Sequence, residues 1–262
     1  MRHVKRFLLL LLVLLVCSSV GFGIWIHDKH VIPILNYHHI DTKGYHELNV
    51  VSPESLEKQM AYLKENKYQV IRLDDLVKAI EQNKKLPRKT VVLSFDDGSE
   101  DNYTAFKILK KYGFTAIFFL PTDLMNTEGF LTWDQVREMA LAGMDIGSHT
   151  RTHIYLPNYP DFEKVKDEIA GSKRILEEKL GIRIDYFCYP SGGFSEEIKG
   201  LLKTAGYQGA CTTNRGKGRL NKDVFELKRI RVKDKDTGGF SFRAKLSGYY
   251  NFFRKCRAPY SR

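Results

Sequence analysis

The alternation of apolar and amphipathic stretches predicts an α/β fold, a distorted (β/α) barrel of about seven to eight strands preceded by one N-terminal transmembrane segment. Three observations carry that expectation. From residue 31 onward, short apolar runs alternate with amphipathic stretches of one to five turns, the pattern of repeated βα units around a largely parallel sheet. Polar motifs follow several different strand ends, as they do when loops converge on one mouth, which favours a closed barrel over a doubly wound open sheet. The chain has 262 residues, 43% of them apolar and 28% charged, enough for one sizeable core and too little for two. Wholesale disorder, a collagen-like repeat and a disulfide scaffold are thereby excluded.

The first element is the uncharged run from Phe7 to Ile26, preceded by Arg2, Lys5 and Arg6. Its 20 residues match the hydrocarbon thickness of a bilayer, and the basic residues in front should stay cytoplasmic. The remainder is then delivered outside, at the cell membrane. Small residues near Ser18 and Gly21 offer no convincing A-x-A cleavage site, so retention as an anchor is expected, with secretion the outcome if the segment is cleaved. Cys17 follows Val16 and reads as an apolar residue of this run. The expected division is a basic region over 1–6, the anchor over 7–26, the barrel over 27–235 and a basic aromatic segment over 236–262.

Strands are expected at Val31 to Tyr37, Tyr68 to Leu73, Thr90 to Phe95, Thr115 to Leu120, Met144 to Ser148, Tyr186 to Tyr189, Tyr207 to Thr212 and Lys228 to Val232. Between them, Ser52-Pro53 opens a helix with Leu56, Met60 and Leu63 on one face. Thr132 and Gln135 make a capping box for another, closed by Gly143, and Gly113, Gly181 and Gly206 stop three more. Cys188 and Cys211 read as buried apolar thiols in preference to a disulfide.

The chemistry sits at strand ends. Val91 to Phe95 runs into Asp96-Asp97-Gly98, two adjacent carboxylates that repel unless something positive is near. A cation meets that need, one carboxylate ligating it and the other serving as a base. A second strand ends in His149-Thr150-Arg151-Thr152-His153, two histidines four apart. Two imidazoles and a carboxylate leave a coordination position open, the arrangement of a catalytic zinc-type site.

Ser94 to Gly98, His149 to His153 and Cys188-Tyr189-Pro190-Ser191-Gly192 together resemble the polysaccharide deacetylases of carbohydrate esterase family four, over roughly residues 31–235. The resemblance implies removal of acetyl groups from N-acetylated sugars with a divalent metal, zinc first and cobalt or nickel as alternatives. It puts Asp96 in the place of the general base, Asp97, His149 and His153 in the places of the metal ligands, and the backbone N–H of Ser191 in the oxyanion site. Tyr189 and Pro190 of the third motif, with Tyr155 in the loop beyond His153, are expected at the substrate.

Two departures matter. Cys188 stands where many members carry an arginine holding the base, and Arg229 or Arg231 on the last strand is expected to replace that charge. No histidine follows His153, so the leaving-group acid must come from elsewhere. The first strand ends in His38-His39; His38 is the candidate acid, and His39, on the opposite face, is structural or substrate-facing. A histidine at the front of the barrel is similar to the motif order of extracellular poly-β-1,6-N-acetylglucosamine deacetylases.

The net charge of +11 is concentrated: residues 213–262 hold 15 Lys and Arg against 4 Asp and Glu, leaving 27 against 27 elsewhere. With the domain outside the membrane, nucleic acid is not an expected partner, and the basic aromatic segment is expected to meet anionic lipid or wall polymer. The expected activity is deacetylation of an extracellular N-acetylglucosamine polysaccharide. Peptidoglycan or a wall-polysaccharide linkage sugar is the alternative substrate, and an inactive glycan-binding barrel the alternative of another class.

Overall fold

The computed structural model describes residues 29–41, 49–213, 220–237 and 239–253, together with the isolated helical positions 11, 15, 18 and 21. Apart from those four positions, the expected basic region and anchor lie outside the described residues, as do Cys17 and Cys256. Among the described residues, no helix is long and apolar enough to cross a membrane.

Strands β1 (Ile34–Tyr37), β5 (Thr90–Phe95), β6 (Ile117–Leu120), β7 (Asp145–Ser148), β8 (Tyr186–Cys188), β9 (Gly209–Thr212), β10 (Leu227–Lys228) and β11 (Ile230–Arg231) form one all-parallel sheet. Their order is β10-β9-β8-β7-β6-β5-β1-β11. The two ends of that order are successive pieces of one segment: β10 pairs with β9, β11 pairs with β1, and only Arg229 lies between them. The sheet is therefore a nearly closed (β/α) barrel. The two-residue β4 (Gln69–Val70) pairs with β5 off this path, so the expected strand from Tyr68 to Leu73 shrinks to a short flank, and Leu73 already begins a helix. A further small pair, β2 (His39–Ile40) with β3 (Val50–Val51), had no signal in the alternation.

The period of two along each strand sorts the barrel into two cores. Ile34, Val92, Ile117, Phe119, Tyr186, Cys188, Cys211 and Leu227 point inward and join Leu73, Leu76 and Val77 of α2 (Leu73–Glu81). This helix plugs the end where the strands begin, held by Tyr186 Oη donating to Asp74 at 2.8 Å and by the Arg72–Asp145 pair. Leu35, Tyr37, Leu93, Phe95, Phe118, Leu120 and Phe187 point outward under the helices. There α1 (Pro53–Glu65) lays down Leu56, Met60 and Leu63, each fully buried, a contribution of about 1.5–3 kcal/mol per side chain. Ser52 caps α1, its Oγ accepting from Ser55 N at 3.2 Å. Helix α3 (Asn102–Tyr112) ends at Gly113, and α4 (Trp133–Leu141) starts from the Thr132–Gln135 capping box. Phe106 is buried and Trp133 packs partly buried against the outer core, as their helical spacing implies.

After β7, α5 (Phe162–Lys166), a π-helical turn at Asp167–Gly171 and α6 (Ser172–Leu180) form one continuous rod. Helix α7 (Glu196–Thr204) follows β8. Helix α8 (Phe240–Leu246), beyond residue 235, packs on the barrel: Phe242 and Leu246 belong to the outer core and Lys245 Nζ pairs with buried Asp236 at 2.5 Å. The packed body runs on through α8, whose Phe240, 85% exposed, faces solvent together with Ser241 and Arg243. Of the expected basic aromatic segment, residues 254–262 lie outside the described residues.

Candidate active site

Three turns at the strand C-termini carry the motifs of the site. After β5 the chain turns through Asp96, Asp97 (φ 71°) and Gly98 (φ 63°). A Cβ on Gly98 would meet Met125 Cε at 2.7 Å, and its positive φ favours glycine there. After β7, Thr150 (φ 69°) and His153 (φ 62°) are left-handed, and after β8 so is Ser191 (φ 54°). Non-glycine residues in this region cost energy and survive where surrounding contacts impose them; here they fall on the motif residues themselves.

Asp97 Oδ1 lies 3.3 Å from His149 Nε2 and 3.2 Å from His153 Nε2. One donor atom from each of the three residues falls within 4.8 Å of the others. His149 Nδ1 donates to the Cys188 carbonyl at 2.7 Å, which fixes the ring from behind with Nε2 facing Asp97. Burial raises the Asp97 carboxyl, and the His149 and His153 contacts more than reverse it, holding it far below the carboxylate range. Asp97 in turn raises His153, against burial. A carboxylate and two imidazoles on one point, with one imidazole fixed from behind, fit a divalent cation of the zinc type. Asp96, His149 and Cys188 also bring donors within 4.8 Å of one another, but there the positive charge is already supplied. Arg229 Nη1 and Nη2 each donate to one Asp96 oxygen at 2.6 Å, and Nη2 lies 3.0 Å from Cys188 Sγ. The Asp97 set is the candidate metal group.

Asp96 is 2% exposed, so its burial raises the carboxyl, while the Arg229 guanidinium pulls it below its ordinary value and keeps it ionised. Arg229 thus sits where replacement of the missing motif arginine was expected, delivered by the residue between β10 and β11. Arg231 makes no hydrogen bond to Asp96; it is near enough to His38 to oppose its protonation. His38 Nε2 lies 3.7 Å from Asp96 Oδ2, and its backbone carbonyl accepts from Asn102 Nδ2 at 2.7 Å. Burial lowers the His38 imidazole, opposed by Asp96 and Asp97. His39 points the other way and pairs with Asp101 at 3.0 Å.

The third motif divides. Ser191 is exposed at the turn, which is tied down by Thr212 Oγ1 donating to the Gly192 carbonyl at 2.7 Å. Tyr155 is half-buried, and its ring occupies the space a side chain on Gly193 would need, 2.3 Å from an added Cβ. Tyr189 and Pro190, expected at the substrate, are buried, and Tyr189 Oη donates to the Phe225 carbonyl at 3.0 Å. That hydroxyl is satisfied inside the protein, so Tyr189 is a packing residue behind the turn.

One residue that buttresses the histidine turn has no signal among the sequence motifs. Glu168, fully buried in the π-turn, accepts from the N–H groups of Arg151 and Thr152 at 2.7 and 2.9 Å and from Thr152 Oγ1 at 2.6 Å. It clamps the peptide between the two histidines, while Thr150 Oγ1 accepts from His153 N at 2.9 Å. The available signal was a carboxylate on the same buried face as Val165, Ile169 and Ser172.

A nearly closed parallel barrel with an Asp, two His and a guanidinium-held second Asp at its mouth defines a hydrolase-type site. The sequence pattern of the polysaccharide deacetylase family matches residues 83–210. The chain is 33% identical to the provisionally named polysaccharide deacetylase YxkH of Bacillus subtilis (strain 168) over 202 residues, 77% of this chain and 71% of YxkH. It is 32% identical over 144 residues to the poly-beta-1,6-N-acetyl-D-glucosamine N-deacetylase of Escherichia coli (strain K12), covering 48% of this chain and 21% of that protein. The Streptococcus pyogenes deacetylase PplD, solved in complex with acetate, superimposes with a TM-score of 0.74 at 28% identity, over 81% of this chain and 96% of PplD. The chain belongs to the polysaccharide deacetylase family.

Proposed function

We propose that the chain is a divalent-metal-dependent N-deacetylase of a poly-β-1,6-linked N-acetylglucosamine polysaccharide. The observation that carries this reading is His38 directly after β1, its Nε2 3.7 Å from the Asp96 carboxylate, the position from which an acid serves the same bond as the base. The partial match to the Escherichia coli deacetylase of that polymer supports the choice of glycan.

Asp97, His149 and His153 would hold the ion, with zinc the first choice for this donor set. When bound there, a divalent ion polarises the acetyl carbonyl and lowers the pKa of water. Asp96, kept ionised and aimed by Arg229, takes the proton of the attacking water as its oxygen bonds to the carbonyl carbon. The Ser191 N–H meets the developing oxyanion. As the C–N bond breaks, His38 delivers a proton to the departing nitrogen, giving acetate and the free amine. Burial keeps His38 below its ordinary value, so it starts neutral at pH 7 and is recharged within the cycle, with the proton on Asp96 the nearest source. Tyr155 beside Gly193 offers a ring to the sugar.

The uncharged run from Phe7 to Ile26 supports placing this activity outside the cell membrane, on a single anchor. Acetate release from β-1,6-linked N-acetylglucosamine oligomers, abolished by chelator and restored by zinc or cobalt, is the expected result. Release from peptidoglycan with none from these oligomers would overturn the substrate assignment.

A further inference from the structure

A second cavity, of about 510 Å³, lies at the opposite end of the barrel from the catalytic mouth. Its walls include Ile32 just before β1, Leu76 and Ile80 on the rear of the plugging helix α2, and Leu86 and Pro87 in the loop that follows. Ile32 precedes β1 and His38 follows it, six residues apart along a largely extended segment, about 20 Å at roughly 3.3 Å per residue, so the pocket is separate from the active site. Lys84, Lys85 and Arg88 also line it, all three exposed and none with an ion pair or side-chain hydrogen bond among the described residues. No carboxylate is among the lining residues. The pocket therefore combines an apolar wall with uncompensated positive charge, which is complementary to an anionic amphiphile.

The chain itself brings such a molecule close. His30, four residues beyond Ile26 at the end of the uncharged run and two beyond Asp28, lines the same cavity, packing edge-on against Tyr249. We infer that this closed end of the barrel faces the bilayer and takes an anionic phospholipid, its phosphate among Lys84, Lys85 and Arg88 and its acyl part against Ile32, Leu76 and Ile80. The catalytic mouth is then turned away from the membrane, toward the glycan. The inference rests on the membrane placement above and is independent of the deacetylase chemistry.

The test is amide hydrogen exchange of residues 82–89 in the full-length chain, in nanodiscs of phosphatidylglycerol or of phosphatidylcholine and in neutral detergent with and without inorganic phosphate. Exchange is expected to slow about tenfold or more in phosphatidylglycerol alone, since each basic residue near an anionic surface strengthens binding about fivefold. The K84E/K85E/R88E variant should lose that protection while keeping its rate of acetate release. Equal exchange in both lipids would overturn the inference. So would equal protection by phosphate, which would mark a free-anion site, or protection in detergent alone, which would mark a cover supplied by the chain. Resistance of the chain to alkaline extraction from membranes is read separately, so that failure of the anchor is told apart from failure of the pocket.

Discussion

Arg229 and Asp96 meet in a two-pronged ion pair, both Nη–O distances 2.6 Å, inside a barrel where the guanidinium is fully buried. The arginine comes from the single residue joining the two ends of the sheet, so closing the barrel and aiming the carboxylate are one structural event. Nη2 also contacts Cys188 Sγ at 3.0 Å, the very position where many family members carry this charge.

Replacing Arg229 with Met should therefore lower kcat by about 10²-fold or more with little change in KM, the scale of a misplaced general base. Because Arg229 holds the Asp96 carboxyl below its ordinary value, its loss should also move the acid limb of the kcat profile to higher pH. A pH–rate profile of R229M and R229K checks both; an unmoved acid limb would remove Asp96 from the rate-limiting proton transfer.

For His38, substitution by Gln should reduce kcat about 10²–10⁴-fold while KM holds steady. Steady-state kinetics on the acetylated oligomer reads this directly, and an equal loss in KM would make His38 a binding residue instead.

Glu168→Gln weakens the clamp on Arg151 and Thr152 without touching a ligand atom. Removal of such an outer support typically costs about 10–100-fold in metal affinity. Competition of zinc against a chromophoric chelator measures it. Unchanged affinity would leave Glu168 a purely structural residue.

Metal affinity should also fall in acid. Asp97 raises His153 in the metal-free protein, so a proton competes with the ion below that raised value, beginning above the ordinary histidine pKa near 6.5. Titrations between pH 8 and pH 5 (roughly the range over which an imidazole changes charge) should show progressive weakening, with the drop beginning at lower pH in an Asp97→Asn variant that still folds.

Much of this was legible in the sequence, and the limits have physical causes. The β5 run Thr90 to Phe95 is buried on both faces, so six consecutive apolar or small residues marked it without ambiguity. Ser52-Pro53 and Thr132-Gln135 carry their caps in their side chains and fell where expected. The stretch from Tyr68 to Leu73 misled because an apolar run feeding a plug inside a barrel looks like another stave until the partner strands are known. Tyr189 misled for a related reason: a motif residue beside a reactive turn is expected to face the ligand, yet strand parity sends its ring outward onto Phe194. Arg229 was readable as a compensating charge, whereas its precedence over Arg231 depends on which of the two reaches across the barrel. Glu168 belongs to no motif, and its role exists only through a loop folded back over the rod of α5 and α6.

The most direct test of the account is the Asp96→Asn variant, measured for bound zinc and for acetate release in the same preparation. The account predicts one equivalent of metal retained on Asp97, His149 and His153 and turnover reduced by about 10²-fold or more. Full turnover would contradict the role of Asp96 as base, and loss of the metal would contradict the division of labour between the two adjacent carboxylates.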